Sequence, residues 1–303
     1  MLKTILIAGI SGQDGYFLTK KLRVKGYRII GLSRKNRKPG LADLILKTNY
    51  NETNLVKVLK KFKPFIIFNF AGESNPKTSW NNPLKKQDSI TRINLNFISA
   101  IIKTDKKIKY FHASTSEIFG SSKKKITEKS SFLPSNPYGC FKLSAHLTLS
   151  VFRKKYNLFL VNGILFNHES AKKSKKFLSS TIITGAREIK KGLKNKLILQ
   201  TPNPVRDFAH AEDTVDAIYK IMKLNKPYDF IISGGNIYSV RKLAEKIFER
   251  YNISKKKIFF RGNTQKFDIK IGNTSKLKRL TKWKPKYIKN KFIDKLVNEK
   301  KEQ

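Results

Sequence analysis

The sequence predicts an α/β protein built on a doubly wound parallel sheet, with a smaller C-terminal substrate-binding lobe. Short apolar segments alternate with helical segments along the first half of the chain, the order that gives parallel strands covered by helices on both faces. The first apolar segment runs directly into a glycine-rich turn and then a helix. The 303 residues, 39% of them hydrophobic, are enough to bury a large core.

The elements follow from the spacing of apolar residues. Apolar runs bounded by turn residues predict strands at 3–8, 28–33, 65–70, 108–114, 158–164 and 196–200. Apolar residues three and four positions apart predict helices between them at 15–25, 52–62, 91–103, 137–155 and 175–191. Right-handed crossovers between these strands give a doubly wound sheet.

The alternation loosens after residue 165. The later elements are predicted as a helix at 211–223, a strand at 229–233 and helices at 239–251 and 289–299. We therefore expect a sheet domain at 1–165 and a smaller lobe at 166–303, interleaved with the sheet near 196–235.

The chain is strongly basic, with 65 Lys and Arg against 21 Asp and Glu and a formal net charge of +44. The excess is mostly lysine spread over the whole length, whereas a nucleic-acid footprint concentrates basic residues and aromatics on one element. A solvated lysine surface is the favoured interpretation, and no nucleic acid is expected as a partner. A basic nucleic-acid-binding protein on a vestigial fold of this class is kept as a distant alternative.

Cysteine use and apolar patterning indicate the compartment. A single cysteine, Cys140, excludes an internal disulfide and is expected to be a buried thiol. No apolar stretch approaches the ~18 residues of a membrane span, so no membrane association is expected. The N-terminus lacks the pattern of a signal peptide, and a cytoplasmic location is predicted.

The turn after the first strand has the features of a dinucleotide-binding loop. Gly9 permits a tight turn, and Gly12 lets the backbone approach a pyrophosphate placed on the N-terminus of the following helix. The residues predicted to bind the cofactor in this loop are Gly9, Ser11, Gly12, Gln13, Asp14 and Gly15.

The end of the second strand predicts which dinucleotide is bound. NAD enzymes usually place an acidic residue there to hold the ribose hydroxyls, whereas this chain has Arg34 and Lys35. Two basic side chains suit a 2′-phosphate, so NADP is predicted.

A tyrosine and a lysine are predicted on one face of the helix at 137–155. Asn136 is a suitable N-cap and Pro137 suits the first helical position, which places Tyr138 and Lys142 one turn apart. A tyrosine titrates near ~10, so its use as an acid or base near neutrality requires a cation that favours the phenolate. Lys142 is expected to supply that charge.

Several segments resemble GDP-mannose 4,6-dehydratases, a family of extended short-chain dehydrogenases/reductases, in order and spacing. They lie at 9–15, 114–117, 138–142, 161–170, 206–211, 239–241 and 283–285. The resemblance covers nearly the whole chain and implies a Rossmann-type NADP domain followed by a sugar-nucleotide-binding lobe. It also implies a homodimer or homotetramer.

In that family, the residues that match Thr115, Glu117 and Tyr138 are catalytic, with Lys142 assisting and binding the cofactor. The implied reaction oxidises C4 of the sugar, loses water across C5 and C6, and returns the hydride to C6. Glu117 is the residue expected to remove the C5 proton. A 4-keto-sugar reductase or a 4-epimerase of the same superfamily is the alternative, and Glu117 argues against both.

The resemblance implies further binding residues. Those expected at the cofactor are Ala71, Ser74, His168 and Lys173, and those expected at the sugar nucleotide are Ser74, Asn167, Arg206 and Arg261. Arg206 is chosen because a guanidinium fork suits a diphosphate. No metal is predicted, since the spacing of His112, His146 and His210 does not match a ligand set.

Departures from the family pattern cluster on the nucleotide-facing side. Thr48 or its neighbours stand where an acidic residue is expected, Lys85 replaces a cofactor-contacting tyrosine, and Lys266 replaces a glutamate that meets the nucleotide. The reaction type is therefore predicted more firmly than the sugar or the base.

Overall fold

The structure is a computed structural model that describes residues 2–174, 176–262 and 268–301, with side chains as far as Glu299. Within these residues the main sheet has seven strands: β1 (Thr4–Ala8), β2 (Arg28–Ser33), β3 (Leu44–Lys47), β4 (Ile66–Asn69), β5 (Lys109–Thr115), β6 (Leu160–Leu165) and β10 (Phe230–Ile232). Their order is β3-β2-β1-β4-β5-β6-β10, and every neighbouring pair is parallel. The predicted doubly wound sheet is confirmed.

Helices cover both faces of this sheet. One face is covered by α2 (Glu52–Phe62), α4 (Ile93–Thr104) and α5 (Pro137–Tyr156). The other is covered by α1 (Gln13–Val24), α7 (Ala211–Met222) and α9 (Ser275–Thr281). A short helix α3 (Pro83–Gln87) and a π-helical turn (Asp88–Arg92) precede α4. None of the helices in the described ranges is long and apolar enough to cross a bilayer.

The smaller lobe contains two further sheets in the part of the chain that the structure describes. One consists of β7 (Asn167–Glu169), β9 (Val205–His210), β11 (Asn236–Ser239) and β13 (Ile269–Lys270). The other pairs β8 (Leu197–Leu199) with β12 (Ile258–Phe260). Helices α6 (Leu178–Lys190), α8 (Val240–Arg250) and α10 (Asn290–Lys301) pack around a core of their own.

Two sequence predictions are corrected by this arrangement. The strand predicted at 196–200 as part of the alternation is the three-residue β8, which pairs with β12 outside the main sheet. The main sheet instead gains β3, from a stretch too short to show a strand pattern, and β10. Cys140, expected to be buried, is exposed because it lies on the outer side of α5.

The second half of the chain contributes to both parts of the molecule. Helix α7 packs against α1, and β10 completes the main sheet beside β6. The division into domains at 1–165 and 166–303, interleaved with the sheet near 196–235, stays a prediction.

Trp283 attaches the C-terminal segment to the main core. Its side chain is fully buried, and the indole N–H donates to the Asp213 carbonyl at 3.1 Å. The Asp213 carboxylate accepts from the backbone N–H groups of Lys286 and Tyr287 at 2.9 and 3.0 Å. Packing and hydrogen bonds therefore anchor the segment between α9 and α10 to α7.

We expect Trp283→Ala to reduce the free energy of unfolding by about 3–5 kcal/mol, because it removes a large buried side chain and leaves a cavity. The chain has two tryptophans, and Trp80, with 65% of its surface exposed, is the matched control. Trp80→Ala should change stability by no more than about 0.5 kcal/mol. Urea denaturation followed by circular dichroism measures both, and equal effects would contradict the role given to Trp283.

Candidate active site

A cavity of about 530 Å³ lies at the carboxyl ends of the main-sheet strands, where the smaller lobe meets the sheet. This is the edge at which open α/β sheets bind ligands. Most of the predicted site residues line it: Ser11, Gly12, Gln13, Asp14, Ser74, Thr115, Glu117, Tyr138, Lys142, Asn167, His168 and Lys173.

One wall of the cavity is the N-terminus of α1. Gly9 has φ +76°, and a Cβ there would lie 2.7 Å from the backbone of Phe70, so the turn requires glycine. Gly15 allows equally close packing, since its Cβ would lie 2.6 Å from the backbone of Ile10. Gly12 caps the helix without a side-chain hydrogen bond, which leaves the first amide N–H groups of α1 facing the cavity. A pyrophosphate fits this cradle.

The lobe is tied to this loop by a network of polar side chains. Gln13 accepts from the Ser170 hydroxyl at 2.7 Å and donates to the His168 carbonyl at 3.2 Å. His168 Nε2 lies 3.0 Å from Asp14, and the Lys173 ammonium donates to the His168 carbonyl at 2.9 Å. Burial alone raises the pKa of Asp14, but His168, with smaller contributions from Lys173 and Gln13, lowers the pKa below its usual value. The network fixes the lobe against the cofactor loop.

The opposite wall is formed by the end of β5 and the start of α5. Thr115 ends β5, and Glu117 lies on the following 3₁₀ turn. Asn136 caps α5 by accepting from the Gly139 N–H at 2.9 Å, as predicted. Tyr138 and Lys142 then face the cavity together with Thr115 and Glu117. The structure therefore brings the four predicted catalytic side chains together.

Tyr138 and Lys142 are both buried, and burial shifts the pKa of each. Burial raises the pKa of Tyr138 well above its usual value, against the hydrogen bond from Thr115, and the Glu117 charge raises it further. Lys142 donates to the Ala113 carbonyl at 2.7 Å, with its Nζ 5.9 Å from the Tyr138 ring centroid. Burial lowers the pKa of Lys142 to about 8. The role of Lys142 in favouring the Tyr138 phenolate stays a prediction, and its ammonium lies on the same cavity wall as the phenol.

Glu117 has two partners that the sequence analysis did not assign to it. Its Oε2 accepts from the Asn136 amide at 3.0 Å and from the Lys270 ammonium at 2.9 Å. Lys270 lies on β13 and is 2% exposed. The sequence contains one signal for Lys270 that was missed. Side chains in a strand alternate between its two faces, so a lysine between Ile269 and Ile271 lies on the face opposite to these two apolar residues.

The remaining predicted residues do not line this cavity. Ala71 is buried, and its N–H donates to Asn69, whereas Arg34 and Lys35 are exposed beyond the end of β2. Arg206 is paired with Asp268 and donates to the carbonyl of that residue. Arg261 is exposed, and its N–H donates to the Leu199 carbonyl at 3.0 Å. Lys266 lies outside the described residues.

Two groups of polar side chains lie apart from this constellation. His146, on the buried side of α5, lies between Ser114 (3.2 Å) and Asp229 (3.5 Å). His210, Glu212 and Glu299 are close enough to hold a metal ion, yet His210 Nδ1 already accepts from the Glu212 N–H. Nε2 of the same histidine lies 3.2 Å from Glu299. These bonds account for the group without a metal, and the expectation of no metal stays a prediction.

The chain is similar in sequence to GDP-mannose 4,6-dehydratases. The sequence profile described as GDP-mannose 4,6 dehydratase matches residues 6–296. A GDP-mannose 4,6 dehydratase from Arabidopsis thaliana is 30% identical over 324 residues, covering 98% of this chain and 89% of the relative. One from Cricetulus griseus is 34% identical over 267 residues, covering 81% of this chain and 72% of the relative.

Solved structures share the fold at lower identity. A dTDP-glucose 4,6-dehydratase from Bacillus anthracis in complex with NAD has a TM-score of 0.87 at 22% identity, covering 99% of this chain and 97% of that chain. A Thermus thermophilus UDP-glucose 4-epimerase in complex with NAD has a TM-score of 0.86 at 18% identity, covering 98% and 99%. At these identities the likeness shows the fold alone. The family match is a separate result, and it confirms the resemblance seen in the motifs: the chain belongs to the GDP-mannose 4,6-dehydratase family of hydro-lyases.

Proposed function

We propose that this protein converts GDP-mannose to GDP-4-keto-6-deoxymannose, with NADP as a tightly held and recycled cofactor. The observation that carries the proposal is the convergence of Thr115, Glu117, Tyr138 and Lys142 on a cavity that also contains the free N-terminus of α1. The first group supplies acid–base chemistry at a sugar, and the helix terminus supplies an anion site for a dinucleotide.

The first stage is oxidation at C4. NADP held at the N-terminus of α1 would supply an oxidised nicotinamide able to accept hydride from C4 and return it to C6. Tyr138 accepts the proton of the C4 hydroxyl, and the hydrogen-bonded Thr115 hydroxyl supports the oxygen as it becomes a ketone. Because burial keeps the Tyr138 phenol protonated in the free protein, we expect it to act as a base only in the ternary complex.

The second stage is loss of water. The C4 ketone acidifies the C5 proton, which Glu117 removes as a carboxylate. The electron pair of the C5–H bond forms the C5–C6 double bond as the C6–O bond breaks, and Glu117 gives its proton to the departing hydroxide. With the hydride returned to C6, C5 takes the proton that Tyr138 received from the C4 hydroxyl, so both Tyr138 and Glu117 regain their starting protonation. The sum is substrate minus one water.

Glu117 favours this reaction over the two alternatives within the superfamily. A 4-epimerase and a 4-keto reductase move hydride at C4 and leave the C5–H bond intact, so neither needs a carboxylate at that position. In the structure Glu117 lines the same cavity as Tyr138 and is 19% exposed, which leaves it accessible to a bound sugar.

Substrate and cofactor contacts are assigned from the same geometry. Ser74 and Asn167 line the cavity and are the side chains we propose for the sugar nucleotide. Arg206 and Arg261 would contact it only after rearrangement, because Arg206 is engaged by Asp268 and Arg261 lies outside the cavity lining. Arg34 and Lys35, exposed at the end of β2, are proposed to hold the 2′-phosphate of NADP.

We also propose a homo-oligomer in the cytoplasm, with a dimer formed through α4 and α5. These helices pack together, and Leu95 on α4 and Leu147 and Val151 on α5 remain 39%, 46% and 64% exposed. Leu147 and Val151 are one turn apart on the same helix face, so we propose that, with Leu95, they form an apolar strip.

Incubation with GDP-mannose and catalytic NADP should yield a sugar nucleotide lighter by one water, measured by mass spectrometry. Glu117→Gln should reduce that rate by about 10²–10⁴-fold, because it removes the C5 base. The same variant should still reduce NADP in the first turnover, since Tyr138 is intact. Normal water loss in Glu117→Gln would refute the assigned role, and no water loss in the natural protein would refute the substrate.

Arg34→Ala should weaken NADP binding by about 10-fold or more, because it removes a charge-assisted contact worth about 1.5–3 kcal/mol. NAD binding should change little, since NAD lacks the 2′-phosphate. Arg37→Ala, an exposed arginine three residues further on, is the matched control. Calorimetric titration with both cofactors measures the effect, and parallel losses for NADP and NAD would exclude 2′-phosphate recognition.

Val151→Glu should convert the oligomer to a monomer in light-scattering measurements, because it places a charge in the proposed apolar strip. Val24→Glu is the matched control: Val24 is 84% exposed at the end of α1, away from α4 and α5. A natural protein that is already monomeric, or dissociation by both variants, would count against this interface.

A further inference from the structure

A buried lysine from the smaller lobe contacts the proposed general base. Lys270 is 2% exposed, and its ammonium lies 2.9 Å from Glu117 Oε2. A buried ion pair seldom maximises the stability of the folded protein, since apolar residues of similar volume at the same positions often stabilise it as well or better. The cost of burying this charge points to a role in chemistry.

The geometry at the carboxylate is asymmetric. Both donors, the Lys270 ammonium and the Asn136 amide, bind Oε2 of Glu117, at 2.9 and 3.0 Å. The hydrogen bonds to Oε2 fix the rotation of the carboxylate, and they leave Oε1 for a substrate in the cavity that Glu117 lines.

The backbone around Lys270 holds it in place. In β13, Lys270 pairs with Arg206 of β9. The preceding residue, Ile269, accepts from the Ser122 N–H at 2.9 Å and donates to the Ser121 hydroxyl at 3.0 Å. These bonds join β13 to the loop that follows Glu117, so base and lysine are held by one hydrogen-bonded unit spanning the sheet and the lobe.

We propose that Lys270 is a positioning residue for the elimination step, an inference that rests on the proposed dehydratase function. It holds Glu117 with Oε1 directed at the C5–H bond. Once Glu117 has taken the C5 proton on Oε1, the hydrogen bonds to Oε2 keep the carboxyl group in the same orientation, so it can pass that proton to the C6 oxygen. The C6–O bond breaks, water leaves, and the carboxylate paired with Lys270 is restored.

Lys270→Met tests this, because methionine has a similar length and no charge. We expect kcat for water loss to fall by about 10–100-fold, less than the roughly 10²–10³-fold loss seen when a donor that contacts the reacting oxygen is removed, because Lys270 acts through Glu117. KM should change little. C4 oxidation precedes the affected step, so reduced cofactor should accumulate and absorb at 340 nm during turnover.

Lys109→Met is the matched control for loss of a partly buried lysine. Lys109 lies at the start of β5 and donates to the Leu224 carbonyl at 2.8 Å, at the opposite end of the strand from Thr115. Lys109→Met should lower the thermal stability of the protein, but reduced cofactor should not accumulate during turnover. If Lys270→Met instead slows C4 oxidation as much as water loss, Lys270 is merely structural and the proposal fails.

A double-mutant cycle with Glu117→Gln separates the two proposals. If Lys270 acts through Glu117, adding Lys270→Met to Glu117→Gln should slow water loss by less than twofold further. Additive effects would overturn the positioning role. Failure of the natural protein to dehydrate GDP-mannose would instead overturn the proposed function, and unchanged kcat in an otherwise active Lys270→Met would overturn this inference alone.

Discussion

The site depends on the parallel pairing of β1, β4, β5 and β6. Because these strands run in one direction, their carboxyl ends meet at one edge of the sheet, and the residues after each strand lie side by side. The turn after β1 brings Gly12 and the N-terminus of α1, and the turn after β5 brings Glu117. Helix α5, which lies between β5 and β6, adds Tyr138 and Lys142. An antiparallel strand among them would place one of these groups at the far edge.

How much of this could be predicted depends on whether the signal is local. The glycine loop was found because it joins an apolar strand to a helix within a few residues, and Tyr138 and Lys142 because helical spacing places them on one face. Lys270 is 153 positions from Glu117, so nothing local joins them. The pairing of Arg206 with Asp268 and the addition of β10 to the sheet likewise depend on tertiary contacts between distant segments.

The basic composition has different consequences inside and outside the protein. On the surface, most of the net charge of +44 falls on lysines that water solvates. In the site, burial lowers the pKa of Lys142 to about 8, so this amine exchanges its proton near neutral pH. Its protonated form is favoured below that pKa and lost above it, and any step that needs the cation should weaken as pH rises through about 8. The net charge of the chain therefore does not determine the protonation of Lys142, which depends on its burial in the site.

The cavity contains two acid–base groups, each associated with a buried lysine: Tyr138 with Lys142, and Glu117 with Lys270. The two lysines differ in contact. Lys142 donates to a neutral carbonyl, so its charge is free to respond when ligands enter, whereas Lys270 binds the carboxylate directly and fixes its geometry. Oxidation at C4 needs a base that changes protonation when ligands bind, and elimination needs one held still against a weakly acidic C–H bond. The reaction order proposed here therefore matches the placement of the two pairs, and the smaller lobe completes the second pair by supplying Lys270.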